Sequence, residues 1–412
     1  MEISADQLEL VNGRIRALEK ADSFYGQRLK EAGIHEVHSA EDFKRLPFSE
    51  KKDLREAYPL GLMTAPEEEI VRIHSSSGTT GKPVIIPYTK KDVDDWAEMF
   101  KRCYEFAGLT KKDRVQITPG YGLWTAGIGF QAGCEKLGAM AIPMGPGNTD
   151  KQIEMMIAME STVLCATSSY ALLLAEEIEK RGLQDRVKLK KGIIGSERWS
   201  DKMRNKIRSI LGIELYDIYG LTEIYGPGIG ISCDAEQGMH YWDDYIYLEI
   251  IDPKTGENLP DGEWGEIVIT TLRKEGAPLI RYRTHDISRI IPEACSCGNT
   301  YPRIDIIQAR TDDMMKIHGV NVFPAQIEEI LALFDELSSE YQIRISHLEG
   351  RDTMRLYVEA LSGKSDFYQL SERVAEKVKS KIGFTPIVKV VEEGVLPRSV
   401  KKTRRVIDER YE

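Results

Sequence analysis

A chain of 412 residues exceeds the roughly 250 to 300 residues at which one hydrophobic core stops growing, so two or more domains are expected. Hydrophobic residues at 42% and charged residues at 30% are ordinary globular values, which excludes a disordered or fibrous chain. The formal charge of -10 argues against a nucleic-acid or anionic-membrane surface, though a local basic patch can still bind a phosphorylated ligand.

Near the N-terminus Leu8, Val11, Ile15 and Leu18 recur at helical spacing among charges of both signs, which reads as neither a signal nor a transit peptide. No apolar run approaches the length of a membrane span, so a cytoplasmic protein is expected. Six cysteines in so long a chain suggest a reducing compartment rather than a disulfide scaffold. Residues 1 to about 60 read as helices with a polar surface, a packing arm without chemistry, with Ser49 expected to cap a helix that follows it.

The run Ser75, Ser76, Ser77, Gly78, Thr79, Thr80, Gly81, Lys82, Pro83 stands between two alternating apolar stretches, Glu69 to His74 and Val84 to Ile86, and reads as a loop between strands. Its glycines let backbone N–H groups close on an anion, its hydroxyls add short donors, and Lys82 adds charge, which together make a phosphate cradle. Two residues between Gly78 and Gly81, and Pro83 after the lysine, exclude a Walker loop. A plain polar hairpin turn is the alternative.

Thr89 to Ala107 reads as a helix. Strand-like and helical stretches then alternate: strands at 113–118, 140–144, 163–167 and 191–195, helices at 125–137, 150–160 and 168–181. Such alternation predicts parallel βα units with ligands near the carboxyl ends of the strands. A further strand, Leu215 to Gly220, runs into Tyr219-Gly220-Leu221-Thr222-Glu223. There an aromatic ring can stack on a base, a hydroxyl can donate to a phosphate and a carboxylate can hold magnesium. A helix start capped by Thr222 is the alternative. From Gly238 the pattern becomes β, with strands at 245–251 and 266–271, and a small antiparallel sheet or barrel is expected. Asp286, closing the run Leu279 to Asp286, can accept hydrogen bonds from a ribose diol.

Cys233, His240, Cys295 and Cys297 could close a tetrahedral Cys3His zinc site of structural type, whereas Cys103, Cys134 and Cys165 read as buried small hydrophobes. After Arg310-Thr311-Asp312 a compact α+β domain of about a hundred residues is expected. It has helices at 324–334 and 365–382, strands at 342–347, 354–360 and 387–391, and a basic end, Lys401 to Arg405.

Taken together, these motifs resemble the phenylacetate-CoA ligase family of the adenylate-forming enzymes. The carriers are 75–83, Gly195-Ser196-Glu197-Arg198-Trp199, 216–223, 238–244, 281–286, 309–329 and 396–405. The resemblance implies an α/β fold: a large AMP-binding domain over 1–309, with parallel βα units and a β subdomain, then a small mobile lid domain over 310–412. It implies that Ser75 to Lys82 wrap the β and γ phosphates, that Gly195, Ser196, Glu197, Asp217, Ile218 and Tyr219 line adenine, and that Asp286, assisted by Arg310, holds the ribose. Thr222 and Glu223 would meet the α-phosphate and Mg2+, Asp312 would be the hinge, and Lys402 the catalytic lysine, with Lys401 where the family usually has glycine. Tyr121, Trp124, Phe130 and Tyr225 are candidates for an aryl pocket.

The activity so implied is ATP-dependent ligation of an aryl acid, phenylacetate or a related arylacetic acid, to coenzyme A through an acyl-AMP. Its partners would be the acid, ATP and coenzyme A, without nucleic acid or membrane, and a homodimer is left open. An adenylyl transferase acting on a cofactor such as a deazaflavin, and a nucleotide-binding protein without turnover, remain as alternatives.

Overall fold

The computed structural model describes residues 2 to 410 apart from 22, 77–81, 124, 318–319, 349–350, 362–365 and 399–402, and apart from the side chains of 316, 321, 348 and 351. The chain separates into two compact units. Met1–Ala166, Val187–Ser196 and Glu214–Ile306 form one; Thr167–Arg186, Glu197–Ile213 and Ile307–Glu412 form the other.

The first unit begins with the helical arm: α1 (Ala5–Lys20), α2 (Phe24–Glu31), α3 (Ala40–Lys44) and α4 (Lys51–Glu56). Ser4, Ser23 and Ser39 cap the first three by accepting backbone N–H groups of Gln7, Gly26 and Asp42. Val11, Ile15 and Leu18 of α1 are buried, as their spacing predicts, in a core that includes Tyr25, Phe43, Tyr247 and Ile280. The structure corrects the expectation at Ser49. Glu50 is the capping residue of α4, its N–H donating to Asp53 at 2.8 Å. Ser49 is drawn away because its N–H donates to the Arg281 carbonyl at 3.1 Å and its carbonyl accepts from Arg283 N–H at 2.9 Å. A strand claims this backbone before the helix can use its hydroxyl.

Two antiparallel strands, β1 (Ile70–Ser75) and β2 (Ile85–Thr89), flank the serine- and glycine-rich run and lead into α5 (Lys90–Phe106). The alternation then appears as β3 (Arg114–Ile117), α6 (Ala126–Leu137), β4 (Met140–Pro143), α7 (Thr149–Ala158), β5 (Val163–Thr167), α8 (Ser168–Lys180), β6 (Lys191–Gly195), α9 (Asp201–Leu211) and β7 (Glu214–Leu221). The β-rich part follows as β8 (Gly226–Ser232), β9 (Met239–Tyr241), β10 (Ile246–Ile251), β11 (Gly265–Thr271), β12 (Tyr282–Ser288), β13 (Ile290–Ile291) and β14 (Arg303–Ile304).

Among the described residues nine strands form one sheet in the order β13-β14-β9-β8-β7-β6-β5-β3-β4. Pairing is parallel between β3 and both β4 and β5 and between β6 and β7, and it turns antiparallel at β7–β8 and beyond. The turn carrying Thr222 and Glu223 joins β7 to β8 at that change of direction, so it is a hairpin turn and not a helix start. Strands β10, β11 and β12 are successive antiparallel neighbours in a second sheet.

Strand β8 escapes the sequence pattern because glycine carries it. Gly226 (φ 112°) and Gly228 (φ 102°) adopt the left-handed region, and a Cβ there would sit 2.6 Å from the Trp96 ring and 2.9 Å from the Phe100 ring. Only glycine lets α5 come so close.

In the second unit α8 and α9 join β15 (Ala309–Arg310), β16 (Met315–Ile317), β17 (Val320–Val322), α10 (Pro324–Ala332), β18 (Leu337–Leu348), β19 (Arg351–Ala360), α11 (Phe367–Ile382), β20 (Ile387–Val391) and β21 (Val406–Asp408). A sheet in the order β20-β19-β18-β21 buries Ile343, Ile345, Leu356 and Val358 with Val374 and Val378 of α11. Ion pairs tie α8 and α9 into this unit: Lys206 reaches Glu176 at 2.7 Å and Glu393 at 3.3 Å, and Arg398 reaches Glu359 at 2.9 Å and Glu176 at 3.4 Å. Among the described residues no helix is long and apolar enough to cross a membrane.

Candidate functional site

The carboxyl ends of β6 and β7 lie side by side, with Ile194 opposite Asp217 and Gly195 opposite Ile218. A side chain at Gly195 would put its Cβ 2.4 Å from the Ile218 carbonyl oxygen, so the close pairing demands glycine. Ser196 follows in the left-handed region with φ 71°. The Asp217 N–H donates to Ser232 Oγ at 2.8 Å, which fixes β7 against β8.

Two residues further along β7, Tyr219 brings a remote residue into the site: its hydroxyl donates to Asp286 Oδ2 at 2.7 Å, and both residues are buried. Thr222 Oγ1 stands 3.2 Å from Thr125 Oγ1 at the start of α6. Glu223 is 4% exposed, yet its Oε1 has no aligned hydrogen bond among the described residues. The Lys51 ammonium lies 3.1 Å from that oxygen and opposes its charge. Lys51 belongs to the arm that the sequence marks as packing alone, and nothing in its local pattern signals this contact.

At the mouth of the hairpin, Ser76 Oγ accepts the Val84 N–H at 2.9 Å and Ser75 N–H donates to the Leu123 carbonyl at 2.8 Å. Lys82 Nζ sits 5.7 Å from the Tyr58 ring centre. Ser77, Gly78, Thr79, Thr80, Gly81, Trp124 and Lys402 lie outside the described residues. Nearby His74 is buried, with Nδ1 3.2 Å from the Leu123 carbonyl; burial pushes its pKa down to about 4, so the ring is neutral.

The aryl-pocket candidates differ in setting. Tyr121 is half-buried beside Gly127, and its hydroxyl has no hydrogen-bond partner among the described residues. Phe130 packs in the core against Phe100, ring centres 4.9 Å apart. The Tyr225 ring is fully buried, its hydroxyl likewise without a partner among the described residues.

In the second unit the Glu197 carboxylate is already engaged. Ser168 Oγ and Ser169 N–H donate to Oε2 at 3.1 and 3.0 Å, and Thr403 N–H donates to Oε1. Thr403 Oγ1 also donates to Ser169 Oγ at 2.7 Å. This clasp anchors Thr403, within the basic end 401–405, to the N-terminus of α8. Arg310 and Asp312 pair with each other through two 2.9 Å contacts.

A separate cluster forms at the far side of the nine-stranded sheet. Cys233 follows β8, His240 is in β9, and Cys295 and Cys297 lie between β13 and β14; β14 pairs with β9 and so draws the two loops together. The four ligand atoms lie within 4.8 Å of one another, with Cys233 Sγ to Cys295 Sγ at 3.6 Å and Cys297 Sγ to His240 Nε2 at 3.5 Å. A tetrahedron with Zn–S of about 2.3 Å and Zn–N of about 2.0 Å has edges of roughly 3.5 to 3.8 Å, so these separations fit zinc. His240 Nδ1 donates to the Tyr301 carbonyl at 2.8 Å, which leaves Nε2 as the ligand atom, and burial holds the imidazole below its ordinary pKa. Asn299 N–H donates to Cys297 Sγ at 3.4 Å. A cleft of about 760 Å3 opens beside the cluster, lined by Arg102, Tyr216, Cys233 and Tyr301 among others; Thr222, Glu223 and Asp286 are not part of it.

The model of the AMP-binding enzyme family matches residues 16–272, and that of the AMP-binding enzyme C-terminal domain matches residues 319–410. Phenylacetate-coenzyme A ligase of Pseudomonas putida is 40% identical, over 98% of this chain and 93% of its own length. The enzyme of that name from Escherichia coli (strain K12) is 38% identical, over 99% of this chain and 95% of its own. Among solved structures, 2-hydroxyisobutyryl-CoA ligase in the postadenylation state with 2-HIB-AMP superposes with a TM-score of 0.89 at 27% identity, covering 98% of this chain and 89% of that one. By these matches the chain belongs to the phenylacetate-CoA ligase family, acid–thiol ligases among the AMP-binding enzymes.

Proposed function

We propose that the protein activates an arylacetic acid, phenylacetate or a near relative, as its acyl adenylate and passes the acyl group to coenzyme A. A carboxylate resists nucleophilic attack because of its charge, so an oxygen must first become a leaving group. Attack of the carboxylate on the α-phosphorus of ATP releases pyrophosphate, and the thiol of coenzyme A then attacks the acyl carbon and expels AMP. The observation that carries this reading is the hairpin turn at β7–β8. It sets the Thr222 hydroxyl and the buried Glu223 carboxylate next to the Tyr219–Asp286 pair, in a chain 40% identical to a phenylacetate-CoA ligase.

Glu223 would hold a divalent cation through its buried, incompletely satisfied carboxylate, and the Lys51 ammonium that opposes its charge would have to give way to that cation. Mg2+ there would supply charge neutralisation at the phosphates. Asp286 would accept the ribose hydroxyls while Tyr219 holds its second oxygen, and Thr222 would donate to the α-phosphate. Lys402, from the basic run beside the Thr403 clasp, would add its ammonium during the first step. Rotation about Asp312 would then withdraw it and admit the thiol, and it would break the Arg310–Asp312 pair. The Cys3His cluster would hold zinc as a closed structural centre, since protein atoms fill all four positions.

Release of pyrophosphate and AMP across a panel of acids, with and without coenzyme A, tests the assignment. Arylacetate-dependent pyrophosphate release and coenzyme A-dependent AMP release are expected. Release driven by a non-carboxylate acceptor alone, or silence across the panel, would overturn it.

A further inference from the structure

One fully buried charged side chain in the first unit is not used by the reaction above. Lys274, between β11 and β12, has no exposed surface. Its ammonium donates to the Ile224 carbonyl and lies 4.4 Å from the centre of the Tyr88 ring and 4.7 Å from that of Tyr225. One carbonyl and two ring faces receive its three N–H vectors. A methionine would occupy similar volume without a desolvation penalty, so packing alone gives no reason for an ammonium here.

Its partner gives the reason. Ile224 directly follows Glu223, and three hydrogen bonds hold the turn: Ile224 N–H to the Leu221 carbonyl at 3.1 Å, Tyr88 hydroxyl to the Tyr225 carbonyl at 2.9 Å, and Lys274 to the Ile224 carbonyl. Two of the three donors come from outside the turn, and they touch each other. The lysine is itself anchored, because Arg14 donates to its carbonyl at 2.8 Å and the Glu275 and Gly276 N–H groups donate to buried Asp92, each at 2.8 Å. Thus β2, α5 and the β11–β12 connection meet on the back of the turn whose front carries Thr222 and Glu223.

We propose that Lys274 is a positioning residue of the ligase reaction, its ammonium clamping the Ile224 carbonyl so that the turn aims Thr222 and Glu223 at the nucleotide. This rests on the assignment of those two residues to the phosphate and the cation. The charges that face the ammonium, Asp92 and Glu223, favour its protonated form and oppose burial, which pushes its pKa down to about 7.

The test compares Lys274→Met, which has no donor, with Lys274→Gln, which keeps an N–H donor on a side chain one bond shorter. Full-length enzyme is assayed for pyrophosphate release with the best acid of the panel, while Mg2+ is titrated and the thermal midpoint recorded. Lys274→Met is expected to lower kcat by on the order of tenfold to a hundredfold and to raise the Mg2+ half-saturation point, because small displacements of reacting groups carry penalties of that size. KM for the acid should stay within about twofold. Lys274→Gln should recover part of both losses, and the midpoint of Lys274→Met should equal or exceed that of the parent. Unchanged kcat and Mg2+ dependence in both variants would refute the proposal. So would a loss explained by a smaller folded fraction, or failure of both variants to fold, since either assigns Lys274 to stability. Glu223→Gln is the control. If it keeps the parent's Mg2+ dependence, the assignment of Glu223 itself fails; if it loses that dependence while Lys274→Met does not, only the present inference fails.

Discussion

Replacing Arg281 by methionine should uncouple stability from nucleotide binding, although the residue stands in the same segment as Asp286. Arg281 is 3% exposed with φ 45°, and it meets Glu249 through Nε at 3.2 Å and Nη2 at 3.0 Å. Nη1 donates to the carbonyls of Lys44 and Leu46, Nη2 also reaches Asn258 Oδ1 at 3.4 Å, and Cζ lies 4.1 Å from the centre of the Phe48 ring. One guanidinium therefore bolts the helical arm to the second sheet. Methionine would leave the Glu249 charge buried with little more than Asn258 Nδ2, 2.9 Å away. Breaking a buried pair from one side costs about 3 to 5 kcal/mol. For a unit of this size, that corresponds to a fall in Tm of roughly 6 to 10 °C. Differential scanning calorimetry reads the shift, and a cycle with Glu249→Leu reads the coupling. The double variant should recover much of the loss, because a neutral pair carries no buried charge, but not all of it, because two carbonyls stay unsatisfied. KM for ATP should change by less than about twofold. A fall below about 2 °C, or strict additivity in the cycle, would refute the reasoning.

Purified protein should contain about one zinc per chain, and Cys295→Ser should lose it, as read by elemental analysis; zinc-free protein prepared without chelators would exclude the centre. Lys402→Ala should depress pyrophosphate release while largely sparing thioester formation from supplied acyl adenylate, and equal loss in both half-reactions would contradict its role. Burial pushes the pKa of Lys274 down to about 7 in the native chain, against 10.5 for an ordinary lysine. Between those values the unfolded chain binds a proton that the native one does not, so this residue makes stability rise with pH. The gain in Tm from Lys274→Met should be largest at and below pH 7 and shrink toward pH 10; a gap that stays constant over that range would show that Lys274 is not the titrating group.

Much of the architecture is written in local pattern. Short apolar strands bounded by glycine, alternating with helices, announce the parallel part of the sheet, and β20 falls at Ile387–Val391, as its pattern predicts. Helix α9 hides because only Met203 and Ile207 are buried in a run dominated by charge, and β8 hides because its glycines answer to Trp96 and Phe100, more than a hundred residues earlier. The same distance rule divides the site. Cys233, His240, Cys295 and Cys297 declare themselves by chemistry alone, since three thiols and an imidazole have few other reasons to gather. Lys51 and Lys274 do not. A lysine in a sequence reads as a solvated charge, and only the fold reveals that one faces Glu223 and the other stands between two tyrosines. Glu197 is legible in part: the resemblance assigns it to adenine, and the fold adds that its carboxylate accepts from Ser168, Ser169 and Thr403.

The cysteine cluster also bears on the protein's behaviour in company. Strand β13 is the last of the nine in its sheet, only Ile290–Ile291 long, and the connection that folds back from it to β14 carries Cys295 and Cys297. An unguarded sheet margin is a template on which another chain can add a strand. By fastening that connection to β8 and β9, a bound ion would keep the margin short. Stripping the ion should then be felt first as self-association, visible in light scattering at temperatures where the rest of the sheet is intact.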